Sequence, residues 1–140
     1  MTHTYYIYAG STTRSPEEME KVTEKIRNSY FPNLISSSFF LSPGYGSGTG
    51  KVYTNGVYKI KSSLDIDALS LLLKTIEILF GRDKKNSSGE VALDLDIVET
   101  DSVVIREKDF NQEPYKKGKN ELDEITKTNK TSIFSLFRNT

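Results

Sequence analysis

The sequence predicts an α+β fold with a single hydrophobic core. Three observations support this: two runs with apolar residues at three- and four-residue steps, several short runs rich in β-branched and aromatic residues, and a length of 140 residues. The first pattern is typical of amphipathic helices and the second of β-strands. A chain of this length suits one domain with one core. The helical and strand-like runs alternate, and this order is the basis for the topology predicted below.

The first strand and the first helix are delimited by turn and capping signals. Residues 5–9 are aromatic and β-branched, which predicts a strand that ends at the polar residues 10–13. Ser15, Pro16 and Glu18 are a capping serine, a proline at the first helical position and a capping-box glutamate. The apolar face of the helix that follows consists of Met19, Val22, Ile26 and Tyr30.

The remaining elements complete a β-α-β-β-α-β-β order. Strands are predicted within residues 34–41 and at 52–60, and Asp65 caps a second helix that ends at Gly81. The core face of this helix consists of Ile66, Leu69, Leu73, Ile76 and Phe80. Strands at 91–98 and 103–105 follow a polar loop. This is the order of a ferredoxin-like fold, an antiparallel sheet with two helices on one face.

Two segments lie outside this regular pattern. Glycines alternate through residues 44–50, and this loop is either a flexible connection or one that closes over a ligand. Residues 1–110 form the predicted domain, and residues 111–140 form a polar C-terminal tail rich in Lys, Asn and Thr. Its expected apolar anchors are Ile133, Phe134, Leu136 and Phe137. We expect the tail to be partly disordered or a loosely docked last helix.

Composition excludes several classes of function. The 19 Lys and Arg residues balance the 19 Asp and Glu residues, so no basic surplus points to nucleic acid. The absence of cysteine excludes disulfides, thiolate catalysis and cysteine-based zinc sites. The single histidine, His3, lies at the N-terminus, so histidine-based metal sites and Ser/His catalytic triads are also excluded. No apolar run approaches ~20 residues, and no secretory signal is visible, so we expect a cytoplasmic protein without a membrane span.

Two carboxylates share one face of the strand predicted at residues 91–98. Two-residue alternation places Asp94 and Asp96 together, ~7 Å apart between Cα atoms. Like charges this close cost free energy unless a positive charge lies between them. Mg²⁺ meets this need, since it is often held by one or two carboxylates plus substrate phosphates. The alternative is an edge strand with a solvated acidic face.

Five features in chain order resemble the 6-hydroxymethyl-7,8-dihydropterin pyrophosphokinase family of the folate pathway. They are Gly10-Ser11 after the first strand, the Ser-Ser-Phe-Phe-Leu-Ser-Pro segment at residues 37–43, Tyr53-x-Asn55, Glu77-x-x-x-Gly81-Arg82, and Leu-Asp-Leu-Asp-Ile at residues 93–97. The resemblance covers about residues 4–106. It implies a ferredoxin-like core that transfers a pyrophosphoryl group from ATP to the hydroxymethyl group of a pterin and releases AMP.

The resemblance also implies a role for each matching residue. Asp94 and Asp96 would hold two Mg²⁺ ions that bridge the phosphates of ATP, and Arg82 would join them as a catalytic residue. Asn55 would bind the pterin ring through its amide, which can both donate and accept. The pterin pocket would further include Ser42, Pro43, Tyr45 and Tyr53. The nucleotide would be bound by Glu77, Arg82, Lys84 and Lys85.

Each assignment has a structural alternative. Tyr53 could be plain core, Asn55 could belong to a turn or bulge, and Glu77 could be a solvated helix residue. Arg82 could merely complement the C-terminus of its helix. The sequence therefore leaves these four residues open between a structural role and a role in binding.

The chain departs from the family on the side that binds ATP. The loop at residues 83–90 keeps Lys84 and Lys85 but lacks the arginines and the tryptophan of the family. The family's histidine after proline is absent, since Tyr115 follows Pro114. The alternative function is therefore a catalytically degenerate relative that acts as a ligand-binding or protein-interaction module.

Overall fold

The computed structural model describes residues 1–43, 51–81 and 89–138, with side chains up to residue 127. Within these ranges the chain forms six strands and four helices. They are β1 His3–Ser11, α1 Pro16–Ser29, β2 Ile35–Ser36, β3 Phe40–Pro43, β4 Val52–Ser62, α2 Ile66–Leu79, β5 Asp94–Thr100, β6 Val103–Val104, α3 Glu107–Phe110 and α4 Glu113–Arg138. The predicted α+β class is confirmed. None of these helices, as far as their side chains are described, has the length and apolar character needed to cross a bilayer.

The two predicted helices begin where the capping signals place them. The Ser15 hydroxyl accepts a hydrogen bond from the Glu18 N–H, and the Glu18 carboxylate accepts one from the Ser15 N–H, both at 3.1 Å. The carboxylate of Asp65 accepts from the Ala68 N–H at 2.8 Å at the start of α2. These bonds satisfy N–H groups that the first turn of a helix leaves without a partner.

The strands form one antiparallel sheet in the order β2-β4-β1-β5-β6, and β3 also pairs with β4. This order is compatible with the predicted ferredoxin-like arrangement. The second predicted strand, residues 34–41, is divided into β2 and β3. Ser37 lies at the interruption, where its hydroxyl accepts the Val57 N–H at 2.8 Å in place of a backbone carbonyl.

Helices α1 and α2 cover one face of the sheet. The main core lies there, because alternation turns Ile7 of β1 and Leu95 of β5 toward the apolar stripes of both helices. Its fully buried large side chains are Tyr5, Ile7, Met19, Ile26, Tyr58, Ile60, Leu69, Leu73, Ile76 and Leu93. The same alternation leaves Asp94 and Asp96 on the opposite face.

Helix α4 lies on that opposite face. Tyr115 and Leu122 of α4 are buried against Tyr8, Val57 and Val98, which makes a second apolar cluster. These two anchors were not predicted: they lie seven residues apart in a polar segment, and Ile125, three residues after Leu122, is the one other aliphatic side chain between residues 113 and 127. The apolar residues predicted as anchors, at positions 133–137, lie beyond the described side chains. The proposed domain boundary after residue 110 stays a prediction.

A β-bulge interrupts the pairing of β1 with β5. Ile7 pairs with Ile97, but Tyr6 pairs with Glu99, so Val98 is an extra residue on β5. Such an insertion re-aims the side chains that follow it. Glu99 therefore faces α4, where its carboxylate accepts from the Tyr115 hydroxyl at 2.6 Å and from Lys119 Nζ at 2.8 Å. These two hydrogen bonds to the buried Glu99 carboxylate attach α4 to the sheet.

Candidate active site

Three neighbouring strands bring the predicted site residues into one row. Gly10 of β1 pairs with Asn55 of β4 on one side and with Asp94 of β5 on the other. In the next row on the same face, Tyr8 lies beside Asp96. A Cβ atom added to Gly10 would lie 2.7 Å from Asn55 Nδ2, so the glycine leaves room for the amide. Gly10 therefore forms a floor without a side chain between the amide and the carboxylates, close to the amide.

A cavity of about 150 Å³ stands above this floor. It is lined by Tyr8, Gly10, Tyr53, Asn55, Asp94, Asp96, Asp109 and Gln112. The structure thus brings together four side chains that the sequence analysis named and adds three that it missed. Tyr8 could have been found, since it alternates with Gly10 on the same strand. Asp109 and Gln112 come from α3 and the turn that follows it, where no periodic pattern marks them.

Asn55 is held in place by a neighbouring strand. Its side-chain oxygen accepts a hydrogen bond from the Ser42 hydroxyl at 2.9 Å, and the residue is only 7% exposed. It lies in regular pairing within β4 and not in a turn or bulge. Ser42 bonds to Asn55 and Pro43 is exposed at the end of β3, but neither residue lines the cavity. Tyr53 lines the cavity.

The two aspartates make the cavity strongly acidic. Burial, and then the charge of Asp94, raise the pKa of Asp96 to about 7. The charge of Arg106, whose Nη2 atom lies 4.0 Å from the nearest Asp96 oxygen, lowers this pKa but is a smaller influence than burial and Asp94. The two carboxylates repel each other when both are ionised, and a cation held between them would relieve that repulsion.

A second cavity, of about 480 Å³, lies between α2 and β5. It is lined by Ile66, Ser70, Leu73, Lys74, Glu77, Ile78, Asp94, Leu95, Asp96, Ile97, Ile105 and Arg106. Asp94 and Asp96 line both cavities. Glu77 is buried, and its carboxylate accepts the Leu95 N–H at 2.7 Å, so it is not a solvated helix residue. Lys74 and Arg106 are cations in this lining that the sequence analysis did not name.

Four predicted residues lie outside the described part of the chain. They are Tyr45, Arg82, Lys84 and Lys85. Their assignment to the pterin or the nucleotide stays a prediction. Lys84 and Lys85 belong to the segment that connects α2 to β5 in sequence, and both of these elements line the larger cavity.

The donor set fits Mg²⁺ and argues against a metal held by protein alone. Asp94 and Asp96 provide hard oxygen ligands on one face of β5. Among the residues described, no group of three or more His, Cys, Asp or Glu side chains could hold a metal ion. Mg²⁺ commonly takes its other ligands from water and substrate phosphates, so two carboxylates are sufficient for it.

Comparison with known proteins agrees with the motifs and the geometry. No curated protein sequence matches the chain. The model of the family described as 7,8-dihydro-6-hydroxymethylpterin-pyrophosphokinase matches residues 6–121. This match includes all the described lining residues of both cavities and reaches into the first part of α4. Since the match covers most of the chain, the protein belongs to the 7,8-dihydro-6-hydroxymethylpterin pyrophosphokinase family.

Proposed function

We propose that this protein transfers a pyrophosphoryl group from ATP to the hydroxymethyl group of 6-hydroxymethyl-7,8-dihydropterin. The observation that carries the proposal is that Asp94 and Asp96 line both cavities. A reaction between two bound substrates needs them to meet in a fixed geometry at one centre. A pair of carboxylates between two cavities is such a centre for phosphates and their metal ions.

The smaller cavity is the proposed pterin site. The amide of Asn55 can donate to and accept from the polar edge of a pterin ring. The hydrogen bond from Ser42 at 2.9 Å keeps that amide in one orientation. Tyr53 supplies an aromatic surface for the flat ring. The absence of a side chain at Gly10 lets the amide of Asn55 lie close to the backbone of β1 at the cavity.

The larger cavity is the proposed ATP site. Its volume of about 480 Å³ is within the range of small-molecule sites. The apolar side chains of Ile66, Ile78 and Ile105 offer contacts for the base. Lys74 and Arg106 offer positive charge to the phosphates. We assign Arg82, Lys84 and Lys85 to the phosphates as well, since they belong to the segment that connects α2 to β5 in the chain, and both of these elements line the cavity.

In the proposed reaction, the hydroxymethyl oxygen attacks the β-phosphorus of ATP. The bond from that phosphorus to the oxygen of the α-phosphate breaks, AMP leaves with the electron pair, and the hydroxyl proton passes to solvent. Asp94 and Asp96 would hold Mg²⁺, which when bound neutralises phosphate charge and favours in-line geometry. The protein's own contribution is to orient both substrates around the two carboxylates.

The experiment is AMP formation from ATP and 6-hydroxymethyl-7,8-dihydropterin, with Mg²⁺. We expect turnover that requires both substrates and falls on the order of 10²–10³-fold in Asp94→Asn and Asp96→Asn. Glu20→Gln is the matched control, because it removes an exposed carboxylate from α1 that lines neither cavity. Binding of both substrates without AMP formation would instead support the ligand-binding alternative, and binding of neither would support an interaction module.

A further inference from the structure

One arginine stands at the junction of the two cavities. Arg106 lines the larger cavity, and its partner Asp109 lines the smaller one. We infer that Arg106 binds a phosphate group of the nucleotide and that Asp109 holds its guanidinium in position to do so. The inference rests on the proposed function, which it deepens by naming a phosphate-binding residue that no motif in the sequence marked.

The backbone at Arg106 is anchored on both sides. The Val98 carbonyl, at the β-bulge, accepts the N–H of Ile105 at 2.7 Å and that of Arg106 at 3.3 Å. The Arg106 carbonyl in turn accepts the Phe110 N–H at 2.9 Å. The bulge thus fixes the start of the arginine side chain beside the carboxylates of β5.

The guanidinium of Arg106 is anchored through its Nε atom. Its Nε donates to the carboxylate of Asp109, whose side chain is 14% exposed. Its Nη2 lies 4.0 Å from Asp96, which is beyond hydrogen-bond distance, and the side chain as a whole is 51% exposed. Since a guanidinium has five N–H donors in a rigid plane, anchoring Nε leaves the Nη groups oriented for a forked contact with phosphate oxygens.

The other arginines with described side chains have structural roles. Arg14 donates to the carbonyls of Ala92 and Phe80, and Arg27 donates to the Leu34 carbonyl and to Glu24. Neither lines the larger cavity. Arg106 is therefore the one arginine, among these three, that is placed to meet a ligand beside Asp94 and Asp96.

The experiment measures binding by calorimetry with two probes, α,β-methylene-ATP and inorganic tripolyphosphate, each with Mg²⁺. We expect Arg106→Ala to weaken both by roughly 10- to 100-fold, as for the loss of hydrogen bonds to a charged group. Arg106→Lys, which keeps the charge without the fork, is expected to lie between the wild type and Arg106→Ala. Binding of AMP, which lacks the β- and γ-phosphates, should change little. Lys108→Ala is the control, because it removes an exposed positive charge from the same short helix.

Asp109 is a positioning residue, and its test is coupling to Arg106. We expect Asp109→Asn to weaken phosphate binding in the wild type but to have almost no effect in the Arg106→Ala background. Additive losses would overturn the positioning role. Thermal unfolding and circular dichroism establish that each variant is folded, and Arg106→Gln replaces Arg106→Ala should the latter fail to fold.

The outcomes separate this inference from the proposed function. Equal affinity of wild type and a folded Arg106 variant for both probes would overturn the inference and leave the proposed function standing. If the wild type binds tripolyphosphate but not α,β-methylene-ATP, and Arg106→Ala no longer binds tripolyphosphate, Arg106 is supported as a phosphate ligand and the proposed function is overturned. Failure of the wild type to bind either probe would overturn both.

Discussion

Replacing Asp94 by asparagine should make the stability of the apo protein less sensitive to pH. Burial and the charge of Asp94 raise the pKa of Asp96 from its ordinary value of 3.8 to about 7. The native state therefore binds more protons than the unfolded state between these values, and its free energy of unfolding falls as the pH rises through that window. Asp94→Asn removes the like charge and offers an amide N–H to the neighbouring carboxylate.

The size of the effect follows from the pKa of Asp96. A rise of the Asp96 pKa from 3.8 to about 7 corresponds to a loss of about 4 kcal/mol in the free energy of unfolding, at about 1.36 kcal/mol for each unit of pKa. This figure is an upper limit, because the Asp96 side chain is 27% exposed and solvent screens its charge. Burial is the largest cause of the rise and persists in the variant. We therefore expect Asp94→Asn to be more stable than the wild type by roughly 1–2 kcal/mol at pH 8 and nearly equal at pH 5.

The assay is urea denaturation in EDTA at pH 5, 6, 7 and 8, followed by far-ultraviolet circular dichroism. Glu20→Gln, which removes an exposed carboxylate from α1, should keep the pH dependence of the wild type. Adding Mg²⁺ with α,β-methylene-ATP should reverse the order, because only the wild type offers two carboxylates to the ion and ligand binding to the native state raises its stability. Parallel curves for wild type and Asp94→Asn from pH 5 to 8 would refute the reasoning about the pair.

Three further predictions concern binding and packing. Asn55→Ala should weaken binding of the pterin by ~1–3 kcal/mol, because the polar edge of the ring loses the buried amide as its hydrogen-bond partner. Binding of the ATP analogue should not change, and equal losses for both ligands by calorimetry would indicate a folding defect. Gly10→Ala should abolish pterin binding and destabilise the fold by ~1–3 kcal/mol, because the added Cβ would lie 2.7 Å from Asn55 Nδ2; unchanged affinity and midpoint would contradict this. Tyr115→Phe removes the 2.6 Å hydrogen bond to Glu99, which is 4% exposed, and should cost ~1.5–3 kcal/mol in urea denaturation, against almost none for the exposed Lys116→Ala.

The sequence by itself determined the features whose causes are local. The capping box of Ser15 and Glu18 placed the start of α1, and Asp65 placed the start of α2, because the bonds involved join residues three apart. Two-residue alternation put Asp94 and Asp96 on one face, since that period is a property of any strand. The order of motifs along the chain indicated the family, which the family match confirmed.

Only the tertiary structure decided how these elements meet. The sheet order places Gly10 between Asn55 and Asp94, residues separated by tens of positions in the chain. The bulge at Val98 turns Glu99 toward α4, against the alternation that a regular strand would have. The same bulge anchors Arg106 beside the acidic pair, although no periodic pattern includes that residue. Strand pairing and bulges arise from contacts distant in sequence, whereas capping and alternation need only neighbouring residues.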